Sequence, residues 1–188
     1  DDNACHTSAT SDQPLLAAGF TYNFWDRESG YYTSSDYYGE KEILAIGSVG
    51  QFQQGVTGTV PGSTGDFSAF SIDALMQKKV FGGDVLTLEG AYYVYDTDDL
   101  VTPGLVQGES YFILASYMFD HKIGIGKFQP VVRYQNFDKD FAPDAEEWSA
   151  GTNYIIKGHD ARLSAIYSEF KEDGSDTVEK FTAGVQLQ

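Results

Sequence analysis

Basic residues are scarce in this chain: 12 Lys and Arg stand against 28 Asp and Glu among 188 residues, a net charge of −16. Gripping a phosphate backbone needs a basic face, so a nucleic-acid partner is excluded. The single cysteine, Cys5, precludes an intramolecular disulfide and a multi-cysteine metal site, and Cys5-His6 lacks the upstream cysteine of covalent haem attachment. Both read as loop residues. Histidine is limited to His6, His121 and His159, with no nucleophile elbow and no phosphate-cradling glycine loop. No catalytic residue, metal site or cofactor is therefore expected, and the chain is read as not an enzyme. Long apolar runs are also missing: no stretch of about 18 apolar residues exists, which rules out a transmembrane helix. Nor does a basic-then-apolar leader open the chain, implying that a signal peptide has been removed or that the natural start lies elsewhere.

What is abundant is aromatic side chain, at 15% (13 Tyr, 13 Phe, 2 Trp), together with 20 glycines, while the mean hydropathy is only −0.31. Strands that alternate apolar and polar residues give such averages, and a β-barrel crosses a membrane without any hydropathy peak. The period is 2 throughout. In Leu15 to Trp25, residues Leu16, Ala18, Phe20, Tyr22 and Phe24 share one face, and Ala17, Gly19, Thr21 and Asn23 the other. The same alternation predicts strands at Ile43 to Gln53, Phe67 to Lys78, Asp84 to Tyr95, Ser110 to Phe119, Lys127 to Phe137, Glu147 to Lys157, Ala161 to Phe170 and Thr177 to Gln188. That makes about nine strands, each near the length a membrane strand needs. Pro130 falls inside one of them, against the rule that a ladder excludes proline.

Connections alternate in length. Those at 81–83, 120–126 and 158–160 are short, whereas 55–65, 96–108 and 138–146 are longer and, with 171–176, hold most loop acids. Short turns on one side and long loops on the other describe an outer-membrane barrel. The stretch from Arg27 to Glu42 is the exception: it is long, tyrosine-rich and on the short-turn side, and is expected to fold against the barrel rim. The expected fold is an all-β antiparallel transmembrane β-barrel, with residues 1–14 as an extracellular-side terminal segment and 15–188 as part of the barrel. Tyr22, Phe24, Trp25, Tyr92, Tyr95, Tyr111, Phe119, Trp148 and Tyr167 fit the aromatic girdles at its two membrane interfaces.

Three stretches carry a family likeness: FTYNFWD (20–26), YYGEKEILAIG (37–47), and the hairpin GTNYIIKGHDARLSAIYS (151–168), with FTAGVQLQ closing the chain. They resemble outer-membrane porins of the phosphate-selective porin O and P type. The resemblance implies the C-terminal half of a sixteen-stranded barrel that assembles as a homotrimer. Two departures stand out: the chain stops at Gln188 without the family's terminal aromatic, and the lumen bases behind phosphate selectivity lie largely in the other half. An odd strand number cannot close an antiparallel barrel alone, so an incomplete chain is expected.

On the polar faces, Lys127, Arg133, Lys157, Arg162 and Lys180 come from late strands, and Asp73 and Glu89 from earlier ones. Opposite walls of a pore would then carry opposite charge, a transverse field that sets ion preference; the plainer reading is that these charges only solvate the lumen. Asn23, Gln51, Gln53, Gln129, Gln135, Asn153 and Gln186 keep such a channel wet or hold a polar solute in passing. No loop has calcium-loop spacing, so the acidic loops are read as solvated. The function expected is a diffusion channel for ions and small polar solutes in the bacterial outer membrane, with lipids and lipopolysaccharide as its surroundings. The alternative is a barrel sheath around an electron-transfer or plug protein, without an open pore.

Overall fold

The computed structural model describes residues 13–27, 36–60 and 63–187. They form one antiparallel sheet of nine strands in chain order: β1 (Leu16–Asn23), β2 (Ile43–Val60), β3 (Ser63–Lys79), β4 (Val85–Asp96), β5 (Gly108–Met118), β6 (Lys127–Lys139), β7 (Ala145–Lys157), β8 (Ala161–Glu172) and β9 (Val178–Leu187). All nine strands expected from the period-2 pattern are present. One short 3₁₀ turn, Phe81–Gly83, joins β3 to β4. No described helix is long and apolar enough to cross a membrane. Cys5, His6, Tyr31 and Tyr32 lie outside the described residues, as does nearly all of the terminal segment 1–14.

One connection expected as a long loop is instead strand. Residues 55–60 and 63–65 extend the β2–β3 hairpin, with register shifts between Gln53 and Thr57 and between Thr57 and Val60. The hairpin reaches over its neighbour, for the Gly58 N–H donates to Thr102 Oγ1 at 2.9 Å. Sequence alternation lapses there because the bulges break the period. Pro130 sits where the β5–β6 ladder is interrupted: paired residues stop at Ser116 and Val131, and bonding resumes with the Phe119 N–H on the Phe128 carbonyl. The missing proline donor falls in that gap.

The strands are staggered in one direction. One row of partners runs Gln77, Thr87, Ser116, Val131, Gly151, Ile166 and Thr182. Gln77 is two residues from the short-turn end of β3, but Gly151 is six from that end of β7. Stagger of this kind tilts strands and curls a sheet. The β7 and β8 backbones approach closely at Gly151, where an added Cβ would lie 2.2 Å from the Ala165 carbonyl oxygen. Among the described residues the sheet is open, with β1 and β9 as its edges.

Candidate functional site

Because register fixes which residues share a face, the sheet divides into two surfaces of opposite character. One carries Phe20, Ile46, Ile72, Leu88, Ile113, Val132, Leu163, Phe181 and Val185, all exposed; Ile113 is 58% and Phe181 70% accessible. The other is shielded although it is rich in polar groups. Gln77 is 0% and Gln129 2% accessible, Thr87 and Ser116 are buried beside them, and Ser110 is buried nearer the long loops. A soluble domain does the reverse. Part of the shielding comes from residues 36–42 laid over Gln77 and Gln129, and part from curvature, since Val85, Met118 and Ile155 meet in a cluster on that concave side, across the intervening β6.

Aromatics form two tracks on the apolar face. Nearer the long loops, Tyr111, Tyr134 and Trp148 follow one another across adjacent strands, with ring centroids 5.9 and 4.5 Å apart. The hydroxyls of Tyr92, Tyr134 and Tyr167 donate to Glu109, Glu146 and Glu169 at the loop end. Nearer the short turns lie Tyr117 with Phe119 (5.2 Å) and Phe128 with Tyr154 (5.0 Å). Tyr154 also pins its turn, accepting from the Ile125 and Gly126 N–H groups and donating to the Ile123 carbonyl. Of the girdle set named from sequence, Tyr22, Phe24, Tyr92, Tyr111, Phe119, Trp148 and Tyr167 fall on this face. Trp25 lies past the end of β1, its ring 5.1 Å from Lys78 Nζ. Tyr95 is on the concave face with Tyr93, since residues two apart on a strand share a side. Tyr117, Phe128, Tyr134 and Tyr154 were legible from the same alternation.

The concave face receives the polar residues named from sequence. Asn23, Glu89, Arg133 and Lys180 share one row of partners, and Asp73 and Gln135 occupy the neighbouring row. Gln51 and Gln53 lie towards the loop end of β2, and Gln129, Asn153, Lys127, Arg162 and Gln186 towards the short turns. Asp73 leans over Gly47, where a Cβ would stand 2.6 Å from its Oδ1. Arg133 is stacked on Phe112, 4.8 Å from the ring centroid. Lys157 departs from the pattern. A register shift after Ile155 places it at the turn, largely exposed and 2.9 Å from Asp160, rather than in the row of bases. Its ammonium holds the Asp160 carboxyl below the usual range. Lys127 is likewise paired, 2.6 Å from Asp120. An acid missed in the sequence, Glu147, shares the face of Arg133 and accepts from Gln135 (3.1 Å) and Ser149 (3.0 Å).

The least anticipated element is the segment 36–42, which does not stay at the rim. It lies on the concave face near the short turns, held by the buried amide of Gln77. That carbonyl accepts from the Tyr37 N–H (3.1 Å) and the Gly39 N–H (3.2 Å), and its amino group donates to Asp36 (2.8 Å) and Thr87 (2.9 Å). Gln129, three strands away, also donates to the Asp36 carboxylate. From Gln129 the chain continues through Asn153 (3.0 Å) to Ser164 (2.7 Å). Tyr38 packs on the Val85–Met118–Ile155 cluster and against His159, at 4.8 Å between rings. Burial pushes its phenol above the usual range, Asp36 adds to the rise, and Arg162 opposes it.

Comparison with family models, curated proteins and solved structures returned no match. Among the described residues no group of three or more His, Cys, Asp or Glu side chains is placed to hold a metal ion.

Proposed function

We propose that this chain is wall of an outer-membrane β-barrel channel, its apolar face in lipid and its concave face lining a water-filled lumen through which ions and small polar solutes diffuse. The distribution of exposure carries this reading: large apolar side chains cover the outer face, while Gln77 and Gln129 are buried on the concave face beside Ile43, Leu75, Val85 and Met118. Each exposed Leu, Ile or Phe gains roughly 1.5–3 kcal/mol on leaving water, so a contiguous face of them calls for lipid or an equivalent cover. Tyr111 of β5 and Phe119, just past its end, are eight residues apart, and Trp148 and Tyr154 six on β7, about 20–27 Å of extended chain. A 40° tilt shortens this to roughly 16–21 Å of height between ring centres, and the rings add their own width to approach the ~25 Å band of such barrels. Lipid tolerates no open edge, so strands outside the described sheet would complete the wall between β9 and β1. No bond making is assigned to the chain. A homotrimer in the bacterial outer membrane is the assembly that the family resemblance favours.

The test is reconstitution of the full chain in planar bilayers. Discrete conductance steps in KCl are expected, with detergent needed to keep the purified protein dispersed. Folded, monodisperse protein without detergent or lipid refutes the membrane assignment. Detergent dependence without conductance removes the pore and leaves the sheath.

A further inference from the structure

The geometry points to a binding subsite for small organic cations on the concave face, between β2 and β4 near the long loops. A cavity of about 250 Å³ is lined there by Val49 and Gln51 of β2, Ala69 and Ser71 of β3, and Tyr93 and Tyr95 of β4. This deepens the channel reading and rests on it, since the concave face must be the solute's path.

The local sequence builds the cavity. Tyr93 and Tyr95 are partners of Ser71 and Ala69, so two large rings stand beside two small residues and leave a recess. The rings are nearly parallel, 9° apart with centroids 6.4 Å apart, stacked along one side of the recess. Asp73 is the next residue after Ser71 on the same face, about 7 Å along the strand. Among the described residues Asp73 has no cation within ion-pair distance. Glu89 follows Tyr93 and Ala91 on the same side of β4. Of the bases of this face, Arg133 is the nearest, stacked on Phe112 beside the row of Asp73, and Lys180 belongs to β9.

Aromatic faces attract ammonium and guanidinium groups through the ring quadrupole, most strongly where water is partly excluded. A carboxylate beside them supplies the charge term, and the Gln51 carbonyl and Ser71 hydroxyl are acceptors for N–H donors. An anion would meet the Asp73 carboxylate beside the rings. The recess is smaller than the roughly 300–1,000 Å³ of drug-sized sites, so the ligand is a solute of few heavy atoms. The overall charge of −16 raises the local concentration of cations at such a mouth.

The experiment titrates tetramethylammonium chloride into the full chain in detergent, read by saturation-transfer NMR, with KCl conductance recorded in parallel on the same preparations. Saturable binding is expected. Tyr93→Leu, Tyr95→Leu and Asp73→Asn should each weaken it about threefold or more, whereas Tyr93→Phe, which keeps the ring, should retain it. Binding that is non-saturable, or equal in Asp73→Asn, Tyr93→Leu and the parent, overturns the subsite. Displacement by glucose as effective as by guanidinium chloride overturns the cation assignment. If the parent conducts but shows no saturable binding, the subsite falls and the channel stands; if it binds but does not conduct, the channel falls instead.

Discussion

Gln77→Leu tests whether one buried amide holds the segment 36–42 inside the curved sheet. The substitution keeps most of the side-chain volume but removes the acceptor of the Tyr37 and Gly39 N–H groups and a donor to Asp36 and Thr87. Gln77 is fully buried, so water does not replace it in place. A buried donor that loses its acceptor costs about 1–3 kcal/mol, hence about 2–6 kcal/mol for the two N–H groups while the segment stays docked. The ladder from β2 to β4 is paired independently of this segment, so the strain is relieved by undocking rather than by unfolding. At a middle value of about 3 kcal/mol, the docked population falls roughly 100-fold relative to the undocked one. Amide hydrogen exchange on detergent-solubilised protein reads this directly. The Tyr37 and Gly39 amides should exchange about 100-fold faster, with ladder amides of β3 and β4 unchanged. Unaltered protection at Tyr37 and Gly39, or a uniform loss throughout the sheet, refutes local pinning by Gln77.

Acid stability should depend on Asp84, whose carboxylate accepts from the Asp120 N–H and the Tyr117 hydroxyl, both at 2.7 Å. The Asp120 N–H first, then Tyr117, hold its carboxyl below the ordinary 3.8. A lowered folded value means that the stabilisation is present above about pH 4 and is lost as pH falls through the folded value. Asp84→Asn should therefore lower thermal stability at pH 7 and converge with the parent at low pH; parallel melting curves from pH 7 to 2 would exclude this role. Gly151→Ala should destabilise by about 1–3 kcal/mol, since its Cβ would meet the Ala165 carbonyl oxygen at 2.2 Å; chemical denaturation in detergent measures it, and an unchanged midpoint would mean that the β7–β8 backbone yields freely. Reversing Arg133 and Lys180 to Glu should raise the cation-to-anion permeability ratio, seen as a shifted zero-current potential in a KCl gradient. An unmoved potential removes both residues from selectivity.

The strand set was readable because each strand carries its own alternation: Tyr111, Ile113, Ala115 and Tyr117 against Ser110 and Ser116 needs no distant information. Features set by contacts across strands were not readable. Lys157 continues the numerical parity of β7, yet a one-residue register shift takes it out of the row. The strand extension over 55–60 hides behind bulges, and its packing depends on Thr102 in another loop. Segment 36–42 announced itself only as a long connection on the wrong side. Its docking is specified by Gln77 and Gln129, which in the sequence look like any other inward polar residue. Glu147 escaped notice because it opens a strand among loop acids, and only the register aligns it with Gln135 and Arg133.

Alternation states that a sheet has two unlike faces; it does not state which one the protein keeps for itself. A sandwich and a channel wall share the pattern in which Leu88 and Thr87 point to opposite sides. Curvature decides between them, and curvature comes from stagger and from close approaches such as Gly151 on Ala165. Here the sheet curls towards its amides and hydroxyls, so Gln77, Thr87, Ser116 and Gln129 satisfy one another and the Asp36 carboxylate. A soluble protein would curl towards Leu88 and Ile113 and would need no partner for them. With the curl reversed, the outer face must be covered, and rings with hydroxyls aimed at Glu109, Glu146 and Glu169 suit a cover that is apolar in the middle and wet at its margin. A bilayer has that profile, which is why the proposed channel places this face in lipid.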